Sequence, residues 1–199
     1  MEVFRFGRKQ VVFEIGGVKV GGEMGENPTV MIGSIFYKGD KTIEDEAKGE
    51  FNREEAERLI SKAEEISDRT GLPAMLDVIC TNPENAERYL RFAADATEMP
   101  ILIDSASDEA AVRALEVVDE IGIKERVVFN SINPETREPI YRKIEEVGLK
   151  SAVLLTYSVK AIVSSTERIK VLEALLPRVK AAGIEKMLID TVVVDISTL

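Results

Sequence analysis

Two rhythms alternate along this chain. Short, nearly unbroken apolar runs occupy residues 29–36 (TVMIGSIF), 74–79 (AMLDVI), 101–105 (ILIDS), 127–132 (VVFNSI), 152–157 (AVLLTY) and 187–194. Bounded by glycine, proline and polar residues, they read as strands. Helix signals stand between them. Asn52 with Glu55 three residues on is a capping-box pattern, predicting a helix to about Asp68 that Gly71 and Pro73 stop. Asn82-Pro83-Glu84, Ser107-Asp108-Glu109 and Asn133-Pro134-Glu135 each predict a helix start, and a further helix is expected over about 166–182, ending at Gly183. Ahead of this series, two β-rich runs within 10–22 flank Gly16-Gly17 and predict a hairpin.

Strands that are apolar almost throughout belong to a parallel sheet covered on both faces. Repeated β-α order leaves two α/β topologies, an open doubly wound sheet or a (βα)8 barrel of the TIM type. Six strands complete the first, whereas the second needs eight and about 250 residues. The chain has 199 residues and no internal boundary. It is read as a single domain over 1–199, with 1–28 as a hairpin extension and 29–199 as six βα strands.

Composition narrows the chemistry. Apolar residues make up 45% and charged residues 31%, a globular balance. No stretch approaches the roughly 20 apolar residues of a membrane span, and Met1-Glu2-Val3-Phe4-Arg5 has no secretory pattern. A cytoplasmic location is the expectation. The net charge of −10 argues against nucleic-acid binding, which relies on Lys and Arg against phosphate. Histidine is absent and Cys80 is the single cysteine. That rules out an internal disulfide, an imidazole or thiolate zinc site, and any histidine-activated nucleophile. Cys80 therefore reads as an inert small residue.

The remaining candidates sit at strand ends, where ligands bind in either topology. Ser34, Asp77, Asp104, Asn130, Thr156 and Asp190 terminate the apolar runs. Such residues often cap the next helix, but Asn82, Ser107 and Asn133 already occupy cap positions. Carboxylates directly after Ile101-Leu102-Ile103 and Met187-Leu188-Ile189 need partners, because burying an unpaired charge is costly. Asp104, Asn130 and Asp190, with Asp77 beside them, are the expected ligand-binding residues. No G-x-G-x-x-G follows a strand and no P-loop motif occurs, which weakens a nucleotide-binding reading.

Ile103-Asp104-Ser105, Asn130-Ser131-Ile132-Asn133-Pro134 and Leu188-Ile189-Asp190 together resemble the pterin-binding barrel superfamily, which includes dihydropteroate synthase and the corrinoid methyltransferases. Phe4-Arg5-Phe6-Gly7, Glu14-Ile15-Gly16-Gly17-Val18, Gly25-Glu26-Asn27-Pro28-Thr29 and Ile32-Gly33-Ser34-Ile35-Phe36-Tyr37 narrow the resemblance to the family of the H subunit of archaeal tetrahydromethanopterin S-methyltransferase. The resemblance implies a (βα)8 barrel truncated after strand six, so that the edges at strands one and six stay open. It implies transfer of the methyl group of N5-methyl-tetrahydromethanopterin to the cob(I)amide of a corrinoid protein, within the coenzyme M methyltransferase complex of methanogenesis. Asp104, Asn130, Asp190 and Asp77 would then bind the pterin. The implied partners are the corrinoid-protein component, the other components of a membrane-associated complex and further copies of the same chain. Dihydropteroate synthase is a weaker match, because its asparagine motif ending strand one is Gly33-Ser34-Ile35-Phe36 here. The zinc-dependent coenzyme M methyltransferases need His and Cys ligands. A non-catalytic pterin-binding or assembly role, or another pterin-binding methyltransferase, is the alternative.

Overall fold

Gly16 and Gly17 adopt φ angles of +51° and +82°, open to glycine without strain, and so join β1 (Val12–Ile15) to β2 (Val18–Gly21) as an antiparallel hairpin. The computed structural model describes residues 7–193. Phe4, Arg5 and Phe6, and Val194 at the end of the predicted sixth strand, lie outside the described residues. The remaining elements are β3 (Met31–Ile35), β4 (Ile43–Asp45), β5 (Glu50–Phe51), α1 (Arg53–Thr70), β6 (Ala74–Cys80), α2 (Pro83–Ala96), β7 (Ile101–Ser105), α3 (Asp108–Glu120), β8 (Val127–Ile132), α4 (Glu138–Val147), β9 (Ser151–Leu155), α5 (Ser165–Ala181) and β10 (Lys186–Asp190).

The six long-range strands form one sheet in the order β3-β6-β7-β8-β9-β10, every pair parallel. Chain order and spatial order coincide. A doubly wound sheet reverses its strand order at a switch point, and this sheet does not. The chain is thus an α/β protein with a sequentially wound parallel sheet. Among the described residues β3 and β10 are its edges. Met31 and Ile32 on β3 are 53% and 52% exposed, next to exposed Leu59 and Ile66 of α1.

The caps follow the sequence at three helices. Asn82 Oδ1 accepts from Asn85 N while Asn85 Oδ1 accepts from Asn82 N, a full capping box with Pro83 in the first turn of α2. Ser107 caps α3. Asn52 caps α1, but only half of the expected box forms, because the Glu55 carboxylate turns to Arg58 instead. One expectation fails. Asn133 does not start α4. Its Oδ1 accepts from Glu135 N and its own N–H goes to Thr136 Oγ1, closing a tight turn. The helix begins five residues later at Glu138, where Pro139 supplies the helical φ.

Side-chain alternation divides the core into two faces. Leu76, Val78 and Cys80 of β6, with Ile101 and Ile103 of β7, pack outward against the helices. Met75, Leu102 and Val128 pack on the other face with Ile15 of the hairpin, which is fully buried. Val153 and Leu188 continue this inner layer onto β9 and β10. The hairpin thus closes the sheet's N-terminal end, and Lys186 Nζ donates to Glu14 O at 2.6 Å to fasten it to β10.

Candidate functional site

Strand periodicity puts the site in place. Residues two apart on a strand share a face. Two positions beyond Met75, Leu102, Val128 and Leu188 stand Asp77, Asp104, Asn130 and Asp190. Ser34 is level with Asp77 on β3, and Asp104 with Asn130 across β7 and β8. The inner face therefore carries an apolar floor and, one pleat nearer the strands' C-terminal ends, a row of polar side chains. Asp77 pairs in register with Leu102, so it lies one pleat deeper than Asp104.

Three of these groups are bonded together. Ser34 Oγ donates to Asp77 Oδ2 at 2.8 Å, and Asn130 Nδ2 donates to Asp77 Oδ1 at 3.2 Å. The second bond runs from β8 to β6 over the top of β7. Two strand spacings amount to about 10 Å, too far for two short side chains on a flat sheet. The inner face is concave here, with its side chains converging.

Electrostatics separates the carboxylates. Asp77 is 5% exposed, and burial raises its pKa although the Ser34 and Asn130 bonds pull the other way. Asp104 accepts no side-chain hydrogen bond among the described residues. Burial, and secondarily the Asp77 charge, push its pKa up to about 6. Cys80 is buried on the helix side, and burial with the nearby Asp104 and Asp77 charges drives its thiol pKa far upward. Burial and the upward shift both disfavour the thiolate that a nucleophile requires.

Asp190 stands apart. It ends β10 at the sheet edge, two strand spacings from Asn130, and is solvent-exposed. Its Oδ1 accepts from Val192 N at 2.7 Å, and its carbonyl accepts from both the N–H and the hydroxyl of Thr156. Thr156 is thus a buried brace between β9 and β10. Ser34, noted only as a strand-ending residue, belongs to the bonded group. Its register with Asp77 is the signal that places it there, and register emerges only when the strands pair.

A loop organises the rim beyond β3. Phe36, at φ +63°, turns its ring into the outer core and stacks on Tyr89 at 3.9 Å. Asp40 holds the turn by accepting from Phe36 N and Thr42 N at 2.7 and 2.9 Å. The neighbouring β4–β5 pair has no counterpart in the sequence reading, because strands of three and two residues leave no readable alternation.

The concave face thus offers a half-buried carboxyl whose pKa is pushed up to about 6, an amide oxygen with no hydrogen-bond partner among the described residues, and an apolar floor. Such a set suits a ligand that presents N–H donors along one edge and an apolar surface to the floor.

The family model described as the tetrahydromethanopterin S-methyltransferase MtrH subunit matches residues 8–198. The H subunit of tetrahydromethanopterin S-methyltransferase from Methanopyrus kandleri is 41% identical over 195 residues, covering 93% of this chain and 60% of the relative. The H subunit from Methanocaldococcus jannaschii is 38% identical over 200 residues, covering 96% and 62%. That of Methanothermobacter thermautotrophicus is 39% identical over 156 residues, covering 78% and 50%. The chain spans about half to three-fifths of the length of these curated relatives.

Proposed function

Because the chain belongs to the family of the tetrahydromethanopterin S-methyltransferase MtrH subunit, we propose that it binds N5-methyl-tetrahydromethanopterin and presents its methyl group to the cob(I)amide of a corrinoid protein. The six parallel strands are, on this reading, consecutive strands of a (βα)8 barrel. Further copies of the chain and the other components of a membrane-associated complex are its proposed partners. No helix among the described residues is long and apolar enough to cross a membrane.

One observation carries the reading: the converging row of Asp104, Asn130 and buried Asp77 above an apolar floor. A pterin presents an exocyclic amine and ring N–H groups beside acceptor atoms. The Asp104 carboxyl and the Asn130 Oδ1, both without a hydrogen-bond partner among the described residues, match those donors. Asp190 would join them by releasing Val192 N. Met75, Leu102 and Val128 supply the dry surface beneath the ring.

The corrinoid of the partner supplies the nucleophile for the methyl group. This chain's task is to orient the donor and exclude water. That task needs no thiolate or imidazole, which accords with the absence of histidine and the inertness of Cys80.

The test is demethylation of N5-methyl-tetrahydromethanopterin by added cob(I)alamin, with pterin binding followed in parallel. Turnover that collapses in Asp104→Ala and falls in Asp190→Ala, with the fold retained, supports the assignment. Full pterin affinity in both variants would sink it. Binding without turnover would leave a binding or assembly role.

A further inference from the structure

We infer that Asp77 is a positioning residue that fixes the Asn130 amide with its Oδ1 turned to the ligand, so that this subsite takes an N–H donor. The inference rests on the pterin reading but concerns the polarity of one contact within it.

Asp77 is out of a ligand's reach. It is 5% exposed, it lies one pleat below Asp104, and both of its oxygens are already engaged. An ionised carboxylate only accepts hydrogen bonds. Asn130 can therefore satisfy it only with Nδ2, and the flipped amide would set Oδ1 against a carboxylate oxygen. Ser34 occupies the second oxygen, which keeps the Asp77 side chain from rotating to accommodate such a flip. The amide is left with one orientation, and its free atom is an acceptor. No hydrogen bond reaches Asn130 Oδ1 among the described residues. A ligand edge rich in N–H groups, such as the amine and ring N–H of a pterin, meets it correctly. An edge that offers a carbonyl there does not.

The experiment uses the intact protein and N5-methyl-tetrahydromethanopterin as the probe, with affinity from fluorescence titration and folding from thermal unfolding. In Asp77→Asn the new amide can donate to or accept from position 130, so the single orientation is lost and Asn130 can turn over to present Nδ2 to the ligand. Affinity should fall by about 10- to 100-fold, the usual consequence of a mismatched hydrogen-bonding group. Combining Asp77→Asn with Asn130→Asp restores the pair with donor and acceptor exchanged and again faces an oxygen to the ligand. That double variant should recover most of the loss. A purely structural role for Asp77 predicts instead that affinity per folded molecule is unchanged in the single variant. If Asp77→Asn does not fold, Ser34→Ala substitutes for it, since it frees one carboxylate oxygen and loosens the amide. A loss of affinity supports the inference, and unchanged affinity overturns it. If wild-type protein does not bind the probe at all, the pterin reading falls. If wild type binds and neither the single variants nor the exchange alters affinity, only the positioning role falls.

Discussion

Asp77 and Asp104 face the same side of the sheet from adjacent strands, one pleat apart, and the buried charge of the first helps hold the second's pKa near 6. Two acids so placed oppose ionisation in the folded state more than in the unfolded chain. A carboxyl with a raised folded pKa contributes stability that is complete below its unfolded value and lost as pH rises through its folded value. For Asp104 the window lies between about 4 and about 6. Asp104→Asn removes the penalty. The variant should match wild type near pH 4 and exceed it in melting temperature above pH 6.5. Asp77, also shifted upward, contributes with the same sign and persists in both proteins. Surface carboxylates paired with arginine, such as Glu55 and Glu87, act in the opposite direction, so the comparison rests on the difference between the two proteins. Equal melting temperatures at pH 7.5 would contradict the raised pKa.

The same group should give pterin binding a pH dependence. N–H donors of a pterin edge stabilise the carboxylate over the acid, so the affinity of N5-methyl-tetrahydromethanopterin should rise between pH 5 and 7 with a midpoint near 6. In Asp104→Asn the rise should vanish and the affinity should sit about 10-fold or more below the wild-type plateau, as expected for losing a charge-assisted bond. Calorimetric titration across that range reads both. A wild-type profile that is flat through pH 6 would place Asp104 outside the binding site.

Much of the architecture was legible because it rests on local rules. The strand runs at 101–105 and 127–132, the Gly16-Gly17 turn and the Asn82 and Ser107 caps depend on residues close in sequence. The misplaced α4 start shows the limit. Asn133-Pro134 satisfies a turn and a helix start equally well, and Thr136 decides for the turn by taking the Asn133 N–H. The candidate residues were legible as types at strand ends. Their grouping was not, since Asn130 and Asp77 are 53 residues apart and meet only across an intervening strand. Nor does the sequence show that the Asp190 carboxylate, on the same face at the sheet edge, accepts from Val192 N of its own turn.

Asn85 illustrates a residue whose weight comes from non-local bonds. It is fully buried; its Oδ1 accepts from Thr81 N and Asn82 N, and its Nδ2 donates to Glu46 O and Thr81 Oγ1. It joins the start of α2 to the β4–β5 segment, where Gly49 at φ +65° packs so closely that a Cβ would lie 2.8 Å from Asn85 Cα. Asn85→Ala should cost about 2–4 kcal/mol, because several buried partners lose their bonds together. Asn52→Ala, which loses one exposed cap bond, should cost about 1 kcal/mol. Urea unfolding of the two variants gives the comparison, and equal losses would show that the Glu46 link carries no weight.

Ile15 ties the hairpin to the site. Fully buried, it packs under Met75, Leu102 and Val128, whose neighbours two residues along are Asp77, Asp104 and Asn130. Truncation to alanine opens a cavity beneath the floor and should cost about 2–4 kcal/mol. Val12→Ala on the same strand, at a side chain already 38% exposed, should stay within about 0.5 kcal/mol. The consequence for binding follows from the layering. The floor residues set the height of the polar row, so a floor that settles into the cavity shifts Asp104 and Asn130 relative to a rigid ring. Pterin affinity should therefore weaken in Ile15→Ala even at temperatures where the protein remains folded. In Val12→Ala it should not change. Weakened stability with unaltered affinity would mean that the hairpin supports the sheet without setting the geometry of the site above it.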